Sequence, residues 1–248
     1  MLDDKEWLSR ILQVPERTLR FGMRALTDHL ATGANLFRWG VDAARQRCPH
    51  CMWLETTKHV LADCPATIRK RGWRHDNVLA AITKFVEARL TNSTQLRVDL
   101  KTHPCTYSVF PPEFGVPSGK RPDLLVFNRE RRALVMLELT VPAEENFSKS
   151  HEYKLDRYAE LVNEVRSALP NWQIRVVCIE VGCRGLHRDS LSTAVKSLAD
   201  VNLLARPTTS DINDLAVRTS SLALKGSFLI WQTRRSAEWP DDVPFFPY

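Results

Sequence analysis

The chain has 248 residues, 44% hydrophobic and 26% charged, with 35 Lys+Arg against 29 Asp+Glu and a formal net charge of +6. That length suits one large domain, or one domain with a small appendage, and the ordinary composition excludes wholesale disorder, collagen and coiled coil. The start, Met-Leu-Asp-Asp-Lys-Glu, lacks a signal-peptide pattern, and no apolar run nears the roughly 18 residues of a membrane span, so a soluble intracellular protein is expected.

Residues 1–46 read as a helical lead-in. Trp7, Leu8, Ile11 and Leu12 form a helical stripe over 4–13, and Pro15 sits where a second helix, about 15–38, can start. Three of the six cysteines then fall within 17 residues, as Cys48-Pro-His-Cys51, His59 and Cys64; Cys105, Cys178 and Cys183 lie elsewhere. The spacing C-x2-C-x7-H-x4-C supplies three thiolates and an imidazole, a closed tetrahedral set for a structural Zn²⁺. His50 is the alternative imidazole ligand, and a Cys-Pro-His-Cys redox pair is the alternative chemistry, although no strand precedes Cys48 as that motif requires.

The segment closing this unit (47–75) carries Arg69, Lys70, Arg71 and Arg74 around Trp73 with no acid from 65 to 75. Such a cluster reads either as a polyanion-binding patch or as a solvated surface run. Asp76 is placed to N-cap an amphipathic helix carrying Val78, Leu79, Ile82, Phe85, Val86 and Leu90. Leu96, Val98 and Leu100 alternate as a strand, and 103–119, rich in proline and glycine, is loop. Asp123–Phe127 and Ala133–Val141 are apolar runs joined by a charged turn; a helix over about 145–169, a strand over Ile174–Val181, and helices over 190–205 and 211–235 follow, before an irregular tail from Pro240. The fold class is α/β, with the core at 76–185 ordered helix, three strands, helix, strand, and C-terminal helices and tail at 186–248.

Two carboxylates interrupt the apolar strands: Asp123 at the head of one run and Glu138 within the other. A carboxylate there is costly unless it is paired or holds a cation. If the runs form a hairpin closing at Glu130 and Arg131, paired positions sum to 261, which sets Asp123 opposite Glu138 on one face, about 5 Å apart at Cβ. A bridging Mg²⁺ or Mn²⁺ relieves their repulsion, and such an ion can activate water for phosphoryl transfer. Leu155, Tyr158, Leu161, Val162, Val165 and Leu169 make the buried stripe of the following helix, and Lys154, at its edge, either reaches a phosphate or snorkels. Glu180 is read as exposed near its strand end in preference to supporting the site, and Glu87 as a solvated helix-face residue in preference to a further metal ligand.

Cys48/Cys51/His59/Cys64, then Arg74-His75-Asp76-Asn77, then Arg121-Pro122-Asp123 with fourteen residues to Glu138, resemble the C-terminal region of site-specific non-LTR retrotransposon proteins. There a zinc knuckle precedes a restriction-like endonuclease of the PD-(D/E)XK class. The resemblance covers about residues 30–185. It implies a restriction-endonuclease-like core that nicks target DNA with Mg²⁺ to prime reverse transcription, with DNA and element RNA as partners and the nucleus as location. It also implies Asp123 and Glu138 as metal ligands and Lys154 as the displaced catalytic lysine, since Thr140 stands at the lysine position of E-x-K. Arg69, Lys70, Arg71, Arg74 and Arg121 are the expected nucleic-acid contacts. The family's polymerase and its paired aspartates are missing, so a fragment, degenerate copy or domesticated tail is expected. The alternative function is a catalytically silent nucleic-acid-binding module.

Overall fold

Four strands, β1 (Thr94–Val98), β2 (Leu124–Asn128), β3 (Ala133–Thr140) and β4 (Gln173–Glu180), form one mixed sheet in the order β1-β2-β3-β4. The first two pairings are antiparallel and β3 to β4 is parallel, so the protein is α/β with a helical crossover between its last two strands. The computed structural model describes residues 14–41, 46–100, 110–116, 121–236, 238–240 and 243–246. The expected helix at 4–13, Cys105 and much of the 103–119 loop lie outside the described residues.

The β2–β3 hairpin has the expected register: Leu124 faces Leu137 and Asn128 faces Ala133, each pair summing to 261. Its turn closes because the Asn128 side chain accepts the Arg131 N–H at 3.0 Å, while Arg132 takes the left-handed conformation at φ 49°. Strand alternation then divides the sheet into two apolar faces. Leu96, Val98, Leu124, Val126, Val135 and Leu137 pack beneath α3 (Ile68–Glu87), α5 (Ser190–Asp200) and α6 (Thr209–Gln232). Leu125, Phe127, Leu134 and Met136 pack under α4 (Phe147–Ala168), whose buried stripe is Tyr158, Leu161 and Val165. Leu155, expected in that stripe, is instead 42% exposed, on the flank of the helix.

Three helix boundaries differ from those expected; the simplest is α5, which stops at Asp200 and not at 205, because Asn202 takes φ 56°. The expected 15–38 helix is two, α1 (Glu16–Leu26) and α2 (Gly33–Arg38). Asp28 takes φ 54°, which interrupts the helix, and the Thr32 side chain restarts it by accepting the Asn35 N–H at 3.2 Å. Helix α3 begins at Ile68, ahead of the expected Asp76 cap, after a 3-10 turn led by Pro65, and it runs through the expected boundary at residue 75. Helix α6 opens on a capping box between Thr208 and Asp211 and packs along α3. No helix among the described residues is long and apolar enough to cross a membrane.

Candidate functional site

Cys48, Cys51, His59 and Cys64 converge until their ligand atoms lie within 4.8 Å of one another, a group that could hold a metal ion. Cys48 Sγ is 3.8 Å and Cys51 Sγ 4.0 Å from Cys64 Sγ, and His59 Nε2 is 3.2 Å from Cys51 Sγ. The backbone builds this without a long element. Cys48 N–H donates to Trp53 O at 2.7 Å, Met52 takes φ 62°, and a π-helical turn over His59–Asp63 presents His59 before Cys64. His50 is elsewhere, its Nε2 2.9 Å from Arg234 O. Burial lowers the His59 pKa, favouring the neutral imidazole a metal requires, and burial with the neighbouring thiols pushes Cys64 up to about 12 when no ion compensates it.

The five basic residues nominated from the sequence divide by burial. Arg69 and Arg121 are exposed. Lys70 is 0% exposed and donates to the carbonyls of Thr233 and Ser236 at 2.7 and 2.6 Å. Arg74 is 1% exposed and donates to Leu61 O at 2.9 Å, Ser227 Oγ at 2.8 Å and Val141 O at 2.9 Å, joining the Cys/His unit to α6 and to the end of β3. Arg71 is half-buried and donates to Ala62 O and, at 3.4 Å, to Cys64 O. Trp73 is covered by Trp239 and Phe246. The expected open basic face is therefore corrected: burying the α3 start beneath the C-terminal segment turns Lys70 and Arg74 inward, where carbonyls replace water.

On the α4 face of the sheet, Asp123 and Glu138 meet as the register requires. Asp123 N–H donates to Glu138 Oε1 at 3.2 Å, and Leu139 N–H donates to Asp123 Oδ2 at 2.7 Å. Lys154 Nζ donates to Glu138 Oε2 at 2.8 Å and lies 4.0 Å from Asp123 Oδ2. The Tyr158 hydroxyl, one turn further along α4, donates to Arg121 O at 2.9 Å and so pins the chain leading into Asp123. Glu138 is 0% exposed; burial and the Asp123 charge raise its pKa to about 7 against the pull of Lys154. Burial also works against the Asp123 charge, but His75 and Lys154 outweigh it and hold this carboxyl below its usual range. Burial opposes the Lys154 charge as well, yet the two carboxylates raise its pKa. A cleft of about 310 Å³ opens beside this cluster, lined by Ile68, Gly72, His75, Leu139, Thr140 and Lys154 among others.

His75, to which the sequence pattern gives no role, stands beside Asp123. Its Nε2 is 3.5 Å from Asp123 Oδ2 and 3.3 Å from Leu139 O, and its Nδ1 is 3.0 Å from Asp76 Oδ1. Burial disfavours the imidazolium, but Asp123 and Asp76 together raise its pKa to about 10. Glu180 is a correction: it is 1% exposed, on the Glu138 face of the sheet beside Thr140, and its Oε1 is 2.7 Å from His151 Nδ1. Glu87 is exposed, as expected. The chain matches no protein-family model and no curated protein sequence.

Proposed function

We propose that this chain is a metal-dependent DNA endonuclease domain with a structural zinc knuckle, of the restriction-like kind found in non-LTR retrotransposon proteins. The observation that carries the reading is the meeting of Asp123, Glu138 and Lys154, from a strand head, a strand interior and a facing helix, beside an open cleft. The donor set suits both ions. Thiolates and an imidazole are zinc ligands, and a tetrahedron with 2.3 Å Zn–S bonds has S–S edges of about 3.8 Å, close to the separations here. The paired carboxylates of Asp123 and Glu138 are hard oxygen donors that would hold Mg²⁺, which supplies an activated water and neutralises charge developing on phosphate.

The chain's own residues do the rest. Lys154, held between the two carboxylates and lining the cleft, is placed to bind a phosphate oxygen entering there and to keep a water oriented. Of the five nominated basic residues, Arg69 and Arg121 are the exposed ones and so the two within reach of a DNA backbone. The partner is then DNA, with element RNA as a second polyanion, and the working location is the nucleus.

A nicking assay on supercoiled plasmid tests this. Zinc-loaded wild type should nick with Mg²⁺ and not without it, and Asp123→Ala or Glu138→Ala should each cost at least ~100-fold. Cleavage unchanged by both substitutions refutes the site. Steeply salt-dependent DNA binding with no cleavage returns the silent binding module.

A further inference from the structure

We propose that His75 is a positioning residue for the Asp123 carboxylate, anchored in turn by Asp76, and that this pair sets how tightly the Asp123/Glu138 site takes a divalent cation. The inference rests on the nuclease reading for its biological meaning, though not for its geometry.

Three groups surround a single oxygen, Asp123 Oδ2: the Leu139 N–H donates to it at 2.7 Å, while His75 Nε2 and Lys154 Nζ stand at ion-pair distance, 3.5 and 4.0 Å away. The first comes from the adjacent strand and restrains that oxygen along the ladder; His75 approaches from α3, on a different layer of the fold. The imidazole cannot turn away easily, because Nδ1 is held by Asp76 Oδ1 at 3.0 Å while Nε2 also meets Leu139 O at 3.3 Å. The next residue back, Arg74, is tied by three hydrogen bonds, so the helix turn presenting His75 is itself fixed. A carboxylate held through one oxygen by a backbone N–H and flanked by an oriented ring loses little further freedom when it binds an ion. Such supporting contacts are worth about 10- to 100-fold in metal affinity.

The test uses the full chain with its knuckle loaded with zinc, and Mn²⁺ as the probe. Calorimetry should show one Mn²⁺ site that Asp123→Ala abolishes, weakened about tenfold by His75→Ala and less, in the same direction, by Asp76→Asn. The Mg²⁺ concentration for half-maximal nicking should rise by the same factor, with the rate at saturating Mg²⁺ largely restored. A purely structural His75 would change the unfolding midpoint and leave both metal constants alone, and that result overturns the proposal. His75→Gln, which keeps a donor near the Nε2 position, guards against misfolding and should recover part of the affinity. If wild type binds Mn²⁺ but nicks nothing, the nuclease reading fails while the His75 measurement stands.

Discussion

The Cys/His unit and the carboxylate cluster reach their geometry by opposite routes. The first is drawn from one continuous segment of 17 residues, largely turns and short helical pieces, whose four ligand atoms converge as a group that could hold a metal ion. The second collects Asp123, Glu138, Lys154 and His75 from the approach to β2 and from β3, α4 and α3, all anchored in a large core. On the proposed reading a metal would complete the one site, whereas the fold by itself brings the residues of the other together. Arg74 is where the two meet.

The largest expected effect breaks the comparison at its metal side. Cys51→Ser, or chelation, should release one equivalent of zinc by elemental analysis and abolish hydrogen-exchange protection across 46–64, because structural zinc contributes roughly 10 kcal/mol to such units. Protection across β2 and β3 should fall much less. A wild-type protein that is folded and metal-free, or a hairpin that loses protection together with the knuckle, would erase the distinction.

Removing the joint comes next. Arg74→Ala deprives Leu61 O, Val141 O and Ser227 Oγ of a buried donor and leaves a void, costing about 4 kcal/mol by denaturant unfolding. Arg74→Met refills the volume alone and should recover less than half. A smaller version comes from the other side of the contact. A Cβ at Gly226 would stand 2.6 Å from Arg74 Cγ, whose head cannot swing aside, so Gly226→Ala should cost about 2 kcal/mol while leaving zinc content at one equivalent. Loss of zinc in either variant would mean that the knuckle depends on the core.

The same contrast explains what could be read from the residues alone. The ligand spacing is local, so Cys48, Cys51, His59 and Cys64 declare themselves. The hairpin register follows from turn length, so the meeting of Asp123 and Glu138 was legible too. His75 was not, because Asp76 resembles an N-cap and hides the two helical turns before it. With α3 beginning at Ile68, Lys70, Trp73, Arg74, Asn77, Val78 and Ala81 fall on one buried face at helical spacing. Two cations on that stripe read as surface because lysine and arginine are rarely buried, and only the distant carbonyls of Thr233, Ser236 and Val141 make the burial possible. The burial of Glu180 is hidden in the same way: its partner His151 lies on α4, beyond the reach of any local pattern.

The smallest effect sharpens the comparison through pH. His187, in the turn after β4, has its Nε2 2.7 Å from Ala216 O and 3.1 Å from Thr219 Oγ1, both on α6. A proton on Nε2 satisfies the carbonyl, while Nδ1 is buried without a hydrogen-bond partner among the described residues, so the imidazolium has no acceptor for its second N–H. Burial accordingly lowers this pKa from 6.5 to about 4, against the raising effect of the Ala216 bond. Between those values the unfolded chain binds a proton that the folded chain refuses, so stability falls as pH drops from about 6.5 to 4 and is unaffected by this group at higher pH. The loss should be about 2 kcal/mol for a partly exposed ring. Acid also strips metal from thiolates, but that transition shifts when free zinc is raised tenfold, whereas the His187 contribution does not. His187→Gln, which can still donate to Ala216 O and cannot titrate, should remove this loss and leave both the zinc-dependent transition and the opposite contribution of Glu138, whose raised pKa favours the folded chain as pH falls from about 7. An acid loss of the same size in the glutamine variant would place the sensitivity elsewhere, and one that moves wholly with zinc would place it in the knuckle.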